Sequence, residues 1–322
     1  TMNKRILALL SLLVAVSSRT LATEYALGFS EGPSNASSSH IFVRDGSGEI
    51  TTFPFLGKVQ TSGSIAWSQD GQLLAFAQTS DSDIYTINVI TGVKSNATNN
   101  PAADSSPSFS PDGANIVFTS LREDDGYFDL FTTNLLTGDT RNITNHPSAD
   151  VLPRWSPTDN SILFTSLRDG DNEGVVRSSI YSVSPEGEHL TLLSEPGEDA
   201  GQATWSPDGK RIAFYSRKNG NRDIIISDLN GENRVQVTSH DADDDAPSWS
   251  PDGTTIAFVS KRNGSAGSIY FASLEGNEPQ RITNPAGGLR HRTPAFRPVL
   301  GPLAVDAVGK LATSWATLKM PQ

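Results

Sequence analysis

Apolar and polar residues alternate along this chain in short stretches that return at a steady interval. DIYTINV, DLFTTNL, SIYSVS, DIIISDL and SIYFASL alternate with period two, and NIVF, RIAF and TIAF are short apolar runs. Period-two alternation, β-branched enrichment and Gly/Asn/Asp punctuation predict short strands rather than helices. An aromatic residue marks each return: Trp67, Phe109, Trp155, Trp205, Trp249 and Phe296, at intervals of 42, 46, 50, 44 and 47 residues. A period in that range is the mark of a repeat array in which each unit is one small sheet.

Further positions lock once the aromatics are aligned. Nine residues after each of the first five stands a phenylalanine: Phe76, Phe118, Phe164, Phe214 and Phe258. The first apolar residues of the alternating segments are Ile84, Leu130, Ile180, Ile224 and Ile269, and thirteen residues later come Ala97, Ile143, Leu193, Val237 and Ile282. Each unit thus predicts four strands, a to d. Strand a carries the anchor, strand b the phenylalanine, strand c the alternation, and strand d the Thr- or Leu-ending phrase. Ser-Pro-Asp-Gly between a and b is a turn phrase, because Pro presets φ and Gly accepts the positive φ that closes the turn. The TG, EG, NG and SG pairs between c and d are hairpin chemistry. Only the b–c loop varies freely, and there the period slips.

The N-terminal stretch fits the same ruler. Phe29 behaves as a strand b phenylalanine, Ile41 as strand c and Phe53 as strand d, whereas Phe296 is an anchor without a partner phenylalanine nine residues on. The expected fold is therefore all-β: a six-bladed β-propeller of four-stranded antiparallel blades, closed by one C-terminal and three N-terminal strands. The expected division is a signal peptide at 1–22, the propeller at 23–298 and a tail at 299–322.

The signal peptide rests on the order of parts. Lys4 and Arg5 precede an apolar run from Ile6 to Val16, followed by Ser17, Ser18 and Thr20-Leu21-Ala22. The run is too short to span a bilayer, and the pattern predicts export to the periplasm or beyond the cell. Net charge is −11; cleavage after Ala22 removes Lys4, Arg5 and Arg19 and leaves 22 basic against 36 acidic residues. Such a balance argues against nucleic acid or anionic membrane as the main partner. With no cysteine in 322 residues, disulfides, thiolate metal sites and cysteine nucleophiles are excluded.

The unit PSWSPDGTTIAFVSKRNGSAGSIYFASLEGNEPQRIT, residues 247–283, resembles a PD40 repeat, the WD40-like unit of the TolB-like β-propeller family. The resemblance covers roughly residues 24–297 and rests on five well-kept copies. It implies a propeller and the use of one face for docking another protein. No α/β domain is expected ahead of the propeller, because the signal peptide runs straight into strand b. No attached hydrolase domain is expected either, although related repeats occur in peptidase propellers and in lyases with clustered His ligands.

In a propeller the d–a and b–c loops share one face. Five residues before the anchor stand Asp104, Asp150 and Asp244, with Asp199 one step off and Ser62 and His291 in the remaining units. Four residues after the strand b phenylalanine stand Arg122, Arg168, Lys218 and Arg262. One face is therefore expected to carry an inner acidic and an outer basic ring. Either these charges tie loops together as ion pairs and caps, or the acids line a channel mouth that takes a cation or a basic peptide. The run Asp241, Asp243, Asp244, Asp245 offers oxygen ligands of the kind calcium uses, but lacks the Gly and closing Glu of an EF-hand loop. No cofactor is expected beyond that calcium reading. His146 and His240 occupy one repeat position, nine residues before an anchor, so they are not a designed pair. No GxSxG, HExxH, P-loop or dinucleotide fingerprint stands in a fitting context. The expected function is an exported, monomeric binding or scaffold module that presents a charged face to a protein or peptide, including a cell-envelope component. The alternative is a metal-dependent hydrolase or lyase acting on an extracellular polymer at the channel mouth.

Overall fold

The computed structural model describes residues 27–33, 39–44, 50–51, 60–123, 126–169, 177–264, 267–285 and 289–298. The expected signal peptide, Phe53 and the segment 299–322 lie outside the described residues. Every described element is a strand. In chain order they begin with β1 (Leu27–Pro33), β2 (Ser39–Arg44), β3 (Ile50–Thr51), β4 (Gln60–Trp67), β5 (Leu73–Gln78), β6 (Ile84–Asn88) and β7 (Lys94–Asn96). Next come β8 (Asp104–Phe109), β9 (Asn115–Ser120), β10 (Asp129–Asn134) and β11 (Thr140–Asn142), then β12 (Asp150–Trp155), β13 (Ile162–Ser166), β14 (Ser179–Val183) and β15 (Thr191–Leu192). The last are β16 (Ala200–Trp205), β17 (Arg211–Ser216), β18 (Asp223–Asp228), β19 (Val235–Gln236), β20 (Asp244–Trp249), β21 (Thr255–Ser260), β22 (Ser268–Ser273), β23 (Gln280–Arg281) and β24 (Leu289–Phe296).

Strands β8–β11, β12–β15, β16–β19 and β20–β23 each form a four-stranded antiparallel meander. The repeat predicts six separate sheets; the described residues form five, because the remaining eight strands share one. Its order is β24-β1-β2-β4-β5-β6-β7, with β3 paired to β2. The join is short: β2 meets β4 only at Ser39–Thr61 and His40–Gln60. At the other end of the ruler, β24 runs antiparallel to β1, with Phe296 opposite Leu27. Strands β4, β8, β12, β16, β20 and β24 touch one another in cyclic order, β24 returning to β4.

The a–b turns follow from their sequence. In Ser110-Pro-Asp-Gly, Gly113 donates its N–H to Ser110 O at 2.9 Å and takes φ +70°. The Ser110 hydroxyl donates to Asp112 Oδ1, and the equivalent bonds of Ser68, Ser206 and Ser250 to Asp70, Asp208 and Asp252 are each 2.6 Å. Serine, aspartate and glycine are thus consumed in closing the hairpin.

The core lies between neighbouring sheets. Phe29, Phe76, Phe118, Phe164, Phe214 and Phe258, the residues at the strand b position, are all fully buried. Antiparallel register sets Phe76 opposite Tyr85, Phe118 opposite Phe131, Phe164 opposite Tyr181 and Phe258 opposite Tyr270. These pairs stack at 5.8–6.2 Å between ring centroids, a spacing that adds to simple burial. Ala75, Ala77 and Ile84 of one unit pack on Phe109, Ile116 and Phe118 of the next. Leu27 and Phe29 pack on Ala257, Ile269 and Phe296, so the first and last strands share a core.

Phe258→Ala removes one of these rings and is expected to cost about 3–5 kcal/mol by creating a cavity. Leu136→Ala, at a side chain that is 94% exposed, is expected to leave the urea midpoint unchanged within error. Equal midpoints for the two variants would mean that the strand b phenylalanine does not carry the core.

Candidate functional site

Strands β8, β12 and β20 each open on an aspartate whose N–H is tied to the preceding unit. Asp104 donates to Ser82 O at 2.8 Å, Asp150 to Phe128 O at 2.7 Å and Asp244 to Arg222 O at 2.9 Å. Register then sets Asp104, Asp150 and Asp244 opposite Ser120, Ser166 and Ser260 of the adjacent b strands. Two residues beyond each serine, the chain turns back with an arginine. Arg122 meets Asp104 at 2.8 Å, Arg168 meets Asp150 at 2.6 Å and Arg262 meets Asp244 at 2.8 Å, with all three carboxylates at 0% exposure. The Nε of each arginine donates to the serine hydroxyl, at 3.2, 2.8 and 2.8 Å. Each guanidinium also lies over the stacked aromatic pair of its unit, 4.7–5.6 Å from the ring centroids, as the ring quadrupole favours.

The two expected rings are therefore interlocked in these three units. Of the two roles the sequence left open for them, the geometry has the form of the first, an ion pair tying loops together. Burial pushes the carboxyls of Asp150 and Asp244 above the ordinary aspartate value, opposed by hydrogen bonds and by Arg168 and Arg262. An acid with no exposed surface cannot itself touch another molecule; it shapes the loops around it.

The fourth unit departs from this plan. Ala200 holds the register position of the acids, opposite Ser216, and Asp199 sits one residue earlier. There Asp199 accepts the Ser178 hydroxyl at 2.8 Å and lies 3.5 Å from Arg217. Lys218, without an acid in the usual place, reaches Glu195 at 2.6 Å. Both of those pairs are substantially exposed. Together with Arg177 and Glu198 they line a shallow depression of about 230 Å³.

The aspartate run disperses onto three different cations. Asp243 pairs with Lys261 at 3.0 Å, Asp244 with Arg262 and Asp245 with Arg222 at 3.2 Å. Among the described residues no group of three or more His, Cys, Asp or Glu side chains gathers as a metal site would need. The N–H of His146 donates to Asp129 at 3.1 Å, and His240 Nδ1 accepts from Ala242 N at 3.0 Å. The side chains of His291 and Ser62 lie outside the described residues.

Strands β4, β8, β12, β16, β20 and β24 surround a central cavity of about 190 Å³. Each of β8, β12, β16 and β20 carries a register shift just before its anchor. Ser106, Leu152, Gln202, Ala246 and Thr293, three residues before the anchors, hold φ between +44° and +58°. That is uncommon for non-glycine residues and costly for a leucine. The bulges are pinned across units: Leu152 N donates to Thr119 Oγ1 at 3.2 Å, Gln202 N to Thr165 Oγ1 at 3.0 Å and Ala246 N to Gln202 Oε1 at 2.7 Å. They place the residue before each anchor on the channel wall: Ala66, Ser108, Arg154, Thr204, Ser248 and Ala295. Five are small. Arg154 is the exception, and its signal in the sequence is the arginine directly before the anchor Trp155, where the other units have Ala, Ser or Thr. Beyond Arg154 the channel opens into a mouth of about 210 Å³ lined by Trp155, Trp205, Trp249 and Phe296 and by Pro157, Pro207, Pro251 and Pro298.

Four-stranded antiparallel units packed face to face, with their first strands around a channel, define a β-propeller. Residues 64–299 match the family model described as the TolB beta propeller domain, PD40, and the chain belongs to that family. A curated relative, the Tol-Pal system protein TolB of Francisella tularensis subsp. mediasiatica, is 33% identical over 191 residues, covering 57% of this chain and 43% of the relative. The match thus spans less than half the length of that relative. The crystal structure of TolB from Acinetobacter baumannii superposes with a TM-score of 0.71 at 25% identity, over 85% of this chain and 66% of that one. An oligogalacturonate lyase from Vibrio parahaemolyticus superposes with a TM-score of 0.52 at 14% identity, over 76% of this chain and 70% of that one, a likeness of fold alone.

Arg168→Ala strands the buried Asp150 and is expected to destabilise by about 3–5 kcal/mol. Lys218→Ala is expected to stay within about 0.5 kcal/mol, because its pair is exposed. Chemical denaturation of both variants checks the contrast. The Arg168→Ala deficit also has a pH dependence. The folded chain holds the Asp150 proton more tightly than the unfolded chain does, since burial raises that carboxyl. Its contribution therefore favours folding at pH below the unfolded value and is lost as pH rises through the elevated folded value. The deficit should narrow on acidification through that range; a widening deficit would contradict the burial of an uncompensated charge.

Proposed function

We propose that the chain is an exported protein-binding module of the cell envelope, which holds a partner against the face formed by the d–a and b–c loops. The observation that carries this reading is membership of the TolB propeller family, joined to relatives named for the Tol-Pal system. Export follows from the N-terminal pattern of charged start, short apolar run and small residues. The acidic balance of the chain fits a protein partner better than nucleic acid.

The eight charged positions divide into two roles in this reading. Asp104, Asp150 and Asp244 with Arg122, Arg168 and Arg262 form a rigid frame. Asp199 and Lys218, with Arg217 and Glu195, offer exposed charge that a partner can meet. We further infer six blades, counting the eight-stranded sheet as two units, β24-β1-β2-β3 and β4-β5-β6-β7. The two-residue join between β2 and β4 supports that division. The lyase reading draws support only from the shared fold, and fold does not carry activity with it.

Binding of the purified chain to soluble domains of the source cell's Tol-Pal components, measured by interferometry, tests the proposal. Reversing charge at Arg217 and Lys218 together is expected to weaken capture about tenfold and to flatten its salt dependence, with the thermal midpoint unchanged. Undiminished capture by that variant would remove this face from the binding surface, and absence of capture by the unaltered chain would overturn the role itself.

A further inference from the structure

Among the described residues the Arg154 guanidinium has no counter-ion. Its one hydrogen bond to a described residue is from Nη1 to the carbonyl of its own neighbour Pro153, at 2.9 Å. On the charged face, by contrast, Arg122, Arg168, Arg217, Arg222 and Arg262 each meet a carboxylate. Arg154 is half-buried, and desolvation alone pulls its pKa down to about 10, so it remains a cation at neutral pH. Yet it borders open space: it lines both the channel cavity and the mouth beyond it. Among the described residues no aspartate or glutamate lines either cavity. A buried cation is costly unless something of opposite charge or rich in acceptors meets it.

The channel wall beside Arg154 is supplied with donors. Ser108 Oγ accepts the N–H of Trp155 at 3.0 Å, and Ser248 Oγ accepts that of Phe296 at 3.4 Å. Each hydroxyl has thus used a lone pair and keeps its proton to give. Thr204 stands at the same level on the other flank. Gln202 spends its carbonyl oxygen on Ala246 N at 2.7 Å, which leaves its NH2 group to donate. Ala66 and Ala295, at the corresponding positions of β4 and β24, leave the opposite wall open. The backbone beneath the cation is fixed, since Trp205 Nε1 donates to Arg154 O at 3.0 Å. The cavity of about 190 Å³ is several times the share of one water in the liquid, about 30 Å³.

We propose that the central channel binds one small oxyanion, a carboxylate or phosphate group, on the guanidinium of Arg154 with the hydroxyls of Ser108, Thr204 and Ser248 as further donors. Two parallel N–H groups of a guanidinium match two oxygens of such a group edge to edge. The net charge of −11 repels anions at long range, so capture depends on these short-range contacts inside the channel rather than on steering. This site is separate from the loop face proposed to hold a protein, and either can fail without the other.

Isothermal titration of the full chain with inorganic phosphate and, separately, with acetate tests the site, with chloride holding ionic strength constant. One-per-chain saturable binding of at least one of the two is expected. Arg154→Ser puts at this position the residue found at Ser108 and Ser248, so the variant is expected to fold, and it should weaken binding by about tenfold or more. Arg154→Lys keeps the charge without the fork and should also bind more weakly, which preserves the test if the serine variant is unstable. Arg217→Ser, on the outer face, should bind as the unaltered chain does. Saturable binding of neither anion, or equal binding by both Arg154 variants and the unaltered chain, would overturn the proposal.

Discussion

A carboxylate removed from water must be met by charge and donors at the place where it is buried, and in this propeller that requirement organises each regular unit. Asp104, Asp150 and Asp244 are at 0% exposure against Arg122, Arg168 and Arg262. The arginine cannot choose another position, because its Nε is held by a strand b serine and its flat face by two stacked rings. One contact thus fixes strand a to strand b, strand b to strand c, and, through the aspartate N–H, one unit to the preceding one. Such a pair adds little net stability over an apolar substitute. Its value here is geometric: only one register of strands a and b brings acid, serine and arginine together.

The same register has a consequence at the other edge of strand a. With the aspartate held at one end and the aromatic anchor buried at the other, the extra residue between them must bulge. The left-handed φ at Ser106, Leu152, Gln202, Ala246 and Thr293 is that bulge repeated. It turns the residue before the anchor toward the axis. Six strands converge there, so the wall favours small side chains, and Ala, Ser and Thr occupy five positions. A long cationic side chain at the sixth runs against both the space and the repeat, and among the described residues its guanidinium meets no carboxylate, only the Pro153 carbonyl. A site that opposes local rules without a structural gain is where function is expected to lie.

Much of this was legible in the chain. The anchor period and the phenylalanine nine residues on map onto the strands they predict, and the thirteen-residue c–d span ends one residue past each short fourth strand, because tight turns fix those offsets. Phe29 lies in β1, between β24 and β2, and packs with Leu27 and Phe296. Ion pairing was one of two readings the sequence left open, and which acid meets which base waits on the strand register. Asp150 and Arg168 were both singled out, but they are 18 residues apart, and only the antiparallel alignment shows them to be one object rather than two rings. The one-residue offset of Asp199 hid a change of kind: with Ala200 in register, the acid and Lys218 part company and turn outward. The fusion of two units through β2 and β4 rests on backbone pairing at two residues, which leaves no mark on side-chain pattern.

The departure in the fourth unit and the exception in the third share a logic. Where a position recurs with the same residue, as with Asp, Ser and Arg in three units, its role is exhausted by the repeat. Where a unit abandons the shared residue and the fold persists, the substituted side chain is relieved of structural duty. Lys218 and Asp199 lose their buried pairing and gain exposure on the loop face; Arg154 displaces a small residue and faces the channel. The motif that dominates the sequence, Trp-Ser-Pro-Asp-Gly, falls on the first side of this division. Its Ser, Asp and Gly close hairpins, while its Trp and Pro residues form the apolar rim of the channel's far mouth. The rim borders the passage in which Arg154 stands, so the loud repeat makes the surroundings of a quiet, unrepeated cation.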